Sequence, residues 1–252
     1  MNSLKFSTVL TLFALLMFFL QANCCPVVQA KEPVIDPAAT EILKSMTDYL
    51  AGLEKFSVQT QNTLEDTLGS GHRIDLEVSA SVTISRPNRL RSERKGDLVD
   101  QVFFYDGKSL TLYNPSSNVY ATKAAPGRYK EMFIYLFETL GFALPISDLV
   151  YPDAYDLLMQ DVTFAAVVGK SYINGVKCDH LIFSRPGVDF QVWVSEGSRP
   201  LPRKYVVTDT LTPGLMSFVT TMNNWDVEPG VEDIRFTFVP PKGAQEIDFL
   251  PY

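Results

Sequence analysis

Ile74-Asp75-Leu76-Glu77-Val78-Ser79-Ala80-Ser81-Val82-Thr83-Ile84-Ser85 is the stretch whose reading decides the fold. Six apolar residues alternate with six polar ones without a fault, the period-two pattern of a strand with one buried and one wet face. At about 3.4 Å per residue the strand would run ~40 Å, and long one-sided antiparallel strands belong to strongly curved sheets. The surrounding signals are of the same kind. Residues 98–105 and 109–113 flank Asp106-Gly107-Lys108, a hairpin turn by composition. Asn114-Pro115-Ser116-Ser117-Asn118 is another turn, leading into 119–122. After residue 163 the pattern resumes over 164–168 and 171–173, turns at Asn174-Gly175, and continues over 176–183, 190–195, 203–210, 216–225 and 234–238. The expected sheet is therefore a meander of about ten or eleven antiparallel strands.

Two helical regions interrupt it. Asp36-Pro37 is an N-cap followed by a residue pre-set for the first helical position, and Ile42, Met46, Tyr49, Leu50 and Leu53 then fall on one face. Gly52 and the turn to Phe56 end this helix. Between residues 126 and 161 the texture changes again. Met132, Phe133, Ile134, Tyr135, Leu136, Phe137 and Leu140 make a helix apolar over most of its circumference, closed by Gly141, and a second segment covers 154–160. A helix greasy nearly all round must be covered on more than one side. It is expected between a concave sheet and a lid, or over the mouth of a cavity.

The first thirty residues bear on the compartment. Lys5 precedes an uncharged apolar run from Phe6 to Leu20, and Val28-Gln29-Ala30 places small residues where a signal peptidase wants them. The run falls short of the ~20 residues that span a bilayer as a helix. A cleaved export signal over 1–30 is expected, leaving residues 31–252 as a single periplasmic domain. Acylation at Cys24 is disfavoured, because Asn23 precedes it and Gln21 stands where leucine is usual. Lys5 is the only charged residue of that segment, so removing it shifts the net charge from −7 to −8. An acidic chain without a long basic run has no electrostatic reason to bind nucleic acid.

Motifs for catalysis are missing from the sequence. It contains no G-x-S-x-G, H-E-x-x-H, P-loop or G-x-G-x-x-G. His72 and His180 are its only histidines, and Cys178 is the only cysteine outside the signal, so neither a His-rich nor a paired-cysteine metal site can form. No cofactor is expected. Cys178 and His180, two apart on a strand, share a face and can seat a thiolate–imidazole pair; a buried cysteine beside a hydrogen-bonded histidine is the plainer reading. Asp75 and Glu77 also share a face, but the wet one. The cluster Arg86, Arg89, Arg91, Arg94 and Lys95 has two readings, a contact point for an acidic or lipid-bearing partner and a charged sheet edge that blocks aggregation.

Arg86-Pro87-Asn88, then Asp106-Gly107-Lys108-Ser109-Leu110 through Tyr113-Asn114-Pro115, then Phe236-Thr237-Phe238-Val239-Pro240-Pro241-Lys242-Gly243, occur in that order. Together these blocks resemble the periplasmic lipoprotein carrier family of LolA. Asn174-Gly175-Val176-Lys177-Cys178-Asp179-His180 and Gln191-Val192-Trp193-Val194 resemble a related group of predicted periplasmic proteins without an established function. The resemblance implies a mainly β, strongly curved open antiparallel half-barrel with a helical lid. It also implies an apolar cavity for an acyl chain or lipoprotein, and a functional arginine at Arg86. On this reading Leu76, Val78 and Val82 form part of the cavity floor, while Leu136, Phe137 and Leu140 cover it. The expected function is non-catalytic binding by a monomer, as carrier or sensor, with an envelope protein as a further partner. The alternative is an envelope-assembly module whose concavity is plugged by its own side chains.

Overall fold

The computed structural model describes residues 32–249 apart from 98, 126, 141–145, 213 and 215, and the side chains of 137, 139 and 140. The export signal over 1–30, the side chains of Phe137 and Leu140, and the helix stop at Gly141 lie outside what is described. One sheet dominates. Strands β2 (Lys55–Thr67), β3 (Arg73–Ser85), β4 (Arg89–Gly96), β5 (Val99–Tyr105), β6 (Ser109–Asn114) and β7 (Val119–Ala124) form one antiparallel meander. A second meander comprises β8 (Phe164–Ile173), β9 (Val176–Arg185), β10 (Val188–Ser195), β11 (Pro202–Asp209) and β12 (Ser217–Asp226). Antiparallel pairing of β12 with β2 joins the two. Two-residue strands, β1 (Val34–Ile35) and β13 (Gln245–Glu246), close the ends by parallel pairing with β8 and β7. The result is an open, curved sheet of thirteen strands among the described residues, and its two end pairs correct the purely antiparallel expectation.

Besides the two-residue end strands, β2 and β4 went unread in the sequence. β2 pairs with β3 along its whole length, from Lys55 opposite Ser85 to Thr67 opposite Arg73. Its inward residues Phe56, Val58, Thr60, Asn62 and Leu64 do alternate with outward ones, but two of them are polar. β4 carries the basic cluster, with Arg89, Arg91, Glu93 and Lys95 outward and Leu90, Ser92 and Arg94 inward. β4 is interior to the sheet, flanked by β3 and β5. The charged-edge reading of this cluster is therefore wrong: Arg89 pairs with Asp233, and Arg91 pairs with Glu93 and lies over the Phe104 ring.

Helix α1 (Pro37–Gly52) starts as read, with the Asp36 carboxylate accepting from the Ala38 N–H at 2.9 Å. Its most buried residues are Ala39, Leu43, Met46, Thr47 and Leu50, while Ile42, Tyr49 and Leu53 flank that stripe. The helix packs on the inner face of β8, β9 and β10. Helices α2 (Tyr129–Leu140), α3 (Ser147–Val150) and α4 (Ala154–Met159) link the two meanders. Tyr129, Met132, Phe133, Leu136, Leu149, Val150 and Leu158 join the same core as Phe56, Ile84, Leu90, Phe183 and Tyr205 of the sheet. No helix of the described residues is long and apolar enough to cross a membrane.

The outer face is not uniformly wet, and here the β3 alternation breaks. Val82, Thr83, Ile84 and Ser85 are buried on both sides. The strand expected over 234–238 is instead a 3₁₀ turn, Asp233–Phe236, followed by extended chain. That segment lies against the outside of the sheet: Phe236 is fully buried, and the Phe238 ring sits 4.9–5.4 Å from those of Tyr120, Phe104 and Tyr113. Two anchoring aromatics hold it without a strand ladder. The Asp106-Gly107 turn is as expected. Gly107 has φ +88°, a conformation that favours glycine, and a Cβ there would meet the Asn88 side chain at 2.3 Å.

Candidate functional site

On the inner face the sheet and helices leave a cavity of about 20 Å³, walled by Ala80, Val82 and Leu90 of the sheet and by Phe133, Ile146 and Val150 of the helical segment. Thr60, Ser92 and Arg94 contribute its polar atoms. Such a volume holds about one water molecule, far below the ~300 Å³ at which small-ligand pockets begin. Of the expected floor residues, Val82 lines this cavity. Leu76 and Val78 share its strand face but are half-buried and lie further along β3. Polar side chains stand beside them: Asn62, opposite Val78, donates to the Thr60 hydroxyl at 2.9 Å and to the Val78 carbonyl at 2.8 Å, and accepts from Thr220 at 2.9 Å. Leu136 is buried in the core.

Arg86 and Tyr129 converge on the turn that joins β3 to β4. The half-buried Arg86 guanidinium donates through Nε to the Leu53 carbonyl at 3.0 Å and through Nη2 to the Leu50 carbonyl at 3.3 Å. These carbonyls end α1, where the helix leaves acceptors unsatisfied and favours positive charge. Arg86 therefore grips α1, not the α2 segment expected to cover the cavity. Burial lowers its pKa from the usual arginine value. Tyr129 is the residue that holds α2. Its hydroxyl shares one proton between the carbonyls of Ser85 (2.9 Å) and Arg89 (2.7 Å) and accepts from the Arg89 N–H at 3.0 Å. Burial pushes the phenol well above its ordinary pKa, so it stays a donor.

A second inner attachment holds α3. The Asp148 carboxylate accepts from the Tyr205 hydroxyl and faces Arg185; burial raises its pKa, and those two partners oppose the rise. Arg185 in turn donates to the Leu157 carbonyl of α4 at 3.3 Å. Neither Tyr129 nor Asp148 announced itself in the sequence. The one available signal was a tyrosine at the first position of a mainly apolar helix, since a buried tyrosine needs a partner for its hydroxyl.

The other candidates separate. The Cys178 thiol is fully buried, donates to the Val176 carbonyl at 3.3 Å, and has its pKa raised by burial. His180 stacks on Trp193 at 4.0 Å and bonds to Gln191 at 2.9 Å. They are not a nucleophile and its base. Asp75 and Glu77 face outward, and Glu77 accepts from the Thr63 hydroxyl at 2.7 Å.

The chain belongs to the family of predicted periplasmic proteins DUF2092, whose model matches residues 39–250. That description agrees with the periplasmic location expected from the first thirty residues. No match exists among curated proteins. Among solved structures the chain is similar to an uncharacterized conserved protein from Thermus thermophilus, at 13% identity and TM-score 0.50, covering 84% of this chain and 99% of that one. It is similar also to LprF from Mycobacterium bovis, at 14% identity and TM-score 0.50, over 85% and 100% of the two chains. A looser likeness, at 12% identity and TM-score 0.37 over 79% and 97%, is to LolA superfamily protein NE2245 from Nitrosomonas europaea. At these identities a likeness concerns the fold and not the ligand.

Proposed function

We propose that this member of a predicted periplasmic family is a non-catalytic binding protein that takes an acyl chain, free or on a lipoprotein, against the inner face of its sheet. The observation that carries this reading is the mainly apolar cavity at Val82 and Leu90, roofed by Phe133, Ile146 and Val150. Its roof belongs to one segment, and α2, which begins that segment, is tied at its first residue by a single hydroxyl. Moving the segment aside would open apolar sheet surface to a ligand. In this reading residues 1–30 are removed after Ala30, and residues 31–252 work as one monomeric domain with the α2–α4 segment as its lid.

The cavity's size favours a second reading, an envelope-assembly module that keeps its concavity filled by its own side chains and docks on an envelope protein. Native mass spectrometry of protein purified from its own periplasm separates the two. Co-purified lipid, or stoichiometric capture of a fluorescent fatty acid, supports the carrier. A clean apo mass with no capture rejects it in favour of the module.

A further inference from the structure

The outer face carries a concavity of about 440 Å³ between β2, β12 and the tip of the β8–β9 hairpin. Irregular backbone surrounds it. Val194 pairs with Pro202 and Trp193 with Lys204, so Arg203 is the extra residue of a bulge in β11. In the β12–β2 pair, Asn223 faces Gln59 and Asp226 faces Ser57, which leaves one residue more on β12. Within that bulge Asn224 has φ 49°, and at the hairpin tip Asn174 has φ 48°. Asparagine tolerates this left-handed region better than most side chains. Bulges re-aim side chains, and here Arg203, Asn224 and Asn174 all line the same concavity, together with Gln59, Gln61 and Asn223.

The amides hold one another in fixed orientations. Asn174 donates to Asn223 Oδ1 at 2.6 Å, Asn224 donates to Gln59 Oε1 at 2.7 Å, and the Ser79 hydroxyl donates to Gln61 Oε1 at 2.8 Å. With their oxygens occupied, Gln59, Gln61 and Asn223 keep their amino groups for another acceptor. Arg203 is half-buried. Its Nε is buried with no hydrogen-bond partner, and burial rather than any carboxylate dominates its surroundings. A buried guanidinium nitrogen left without an acceptor costs stability, and a carboxylate drawn to the same side chain would offset that cost.

We propose that this concavity binds a small polar ligand bearing one carboxylate. Arg203 takes the carboxylate in a two-pronged pair, as guanidinium geometry favours, while Gln59, Gln61 and Asn223 donate to neighbouring hydroxyl or carbonyl oxygens. A sugar acid and the C-terminus of a short peptide share this chemistry. The site is on the opposite face from the acyl-chain cavity, so it stands or falls apart from that reading.

The test is a side-chain NMR titration of the exported protein with D-glucuronate and with triglycine, using glucose and acetate as controls. Saturable shifts at Arg203 Nε and at the Gln59, Gln61 and Asn223 amides are expected with one of the two carboxylate ligands, which identifies the source. Glucose and acetate should bind at least about tenfold more weakly, each lacking one half of the recognition. Arg203→Gln should weaken binding by at least about tenfold, and so should Asn223→Ala, which lies outside the β11 bulge and keeps the test open if Arg203→Gln does not fold. The proposal is overturned if neither carboxylate ligand gives saturable shifts, if glucose binds as tightly, or if both variants bind as the wild type does.

Discussion

Replacing Tyr129 by phenylalanine removes one oxygen and nothing else from the core. That oxygen donates to the Ser85 and Arg89 carbonyls and accepts from the Arg89 N–H, and both Tyr129 and Ser85 are nearly fully buried. Each lost hydrogen bond is worth about 1 kcal/mol net, with a comparable penalty for any buried partner left unsatisfied. A loss of about 2 kcal/mol follows, which is roughly 30-fold in an opening equilibrium. Because the bonds join α2 to the β3–β4 turn, the change should concentrate on α2. Amide hydrogen exchange across residues 129–136 is expected to quicken by about that factor, and a fluorescent fatty acid should enter faster. Paired amides of β2 and β3 should change only as far as global stability does. Unchanged exchange in α2, with an unchanged denaturation midpoint, would show that Met132, Phe133 and Leu136 seat the helix by packing alone.

Arg86→Leu removes two charge-assisted bonds to the end of α1, each worth about 1.5–3 kcal/mol. Faster exchange over residues 50–56 and a lowered urea midpoint are expected, and if fatty-acid entry also changes, α1 and the α2–α4 segment are coupled through the shared turn. Phe236→Ala should cost about 3–5 kcal/mol, the usual range for an emptied aromatic site, and limited proteolysis should then nick residues 233–249 first. Asp148→Asn should stabilise the protein at neutral pH, because burial holds the carboxyl above its ordinary pKa while the amide can still accept from Tyr205. For an acid whose folded pKa is raised, stability falls as pH climbs from the unfolded value through the folded one. The variant's advantage in thermal unfolding should therefore shrink as the pH is lowered through the folded-state pKa, where wild-type Asp148 also becomes neutral.

Much of the sheet was legible because its strands keep strict alternation and end at turns with defined chemistry, as at Asp106-Gly107 and Asn174-Gly175. β4 escaped because it has a single inward aliphatic residue, Leu90, and its burial comes from neighbours on both sides rather than from its own side chains. β2 escaped because Thr60 and Asn62 occupy inward positions, satisfied there by Thr220 and the Val78 carbonyl. No local pattern announces such a network, since its members come from strands far apart in the chain. The site divided the same way. Val82 could be placed from β3 alone. The grip of Arg86 on α1 and of Tyr129 on the turn depends on which helix end arrives beside Ser85–Arg89, a tertiary fact. The outer concavity was invisible because Arg203 and Asn224 owe their positions to bulges.

The strand order has a consequence for how the molecule is made. β2 finds one partner at once in β3, but its other edge pairs with β12, which is synthesised more than a hundred residues later. Helix α1 waits as well, since it packs on β8, β9 and β10. Until then a nascent chain presents a thirteen-residue strand with an open edge, the kind of template on which chains pair with each other. Long-range pairings of this sort also form slowly. Gln59, Gln61 and Asn62, together with the charges of Glu65 and Asp66, keep much of that waiting edge hydrophilic. Asn62, one of the two polar residues that hid β2 from a hydrophobicity reading, can thus also act with its outward neighbours to keep the half-made protein from aggregating.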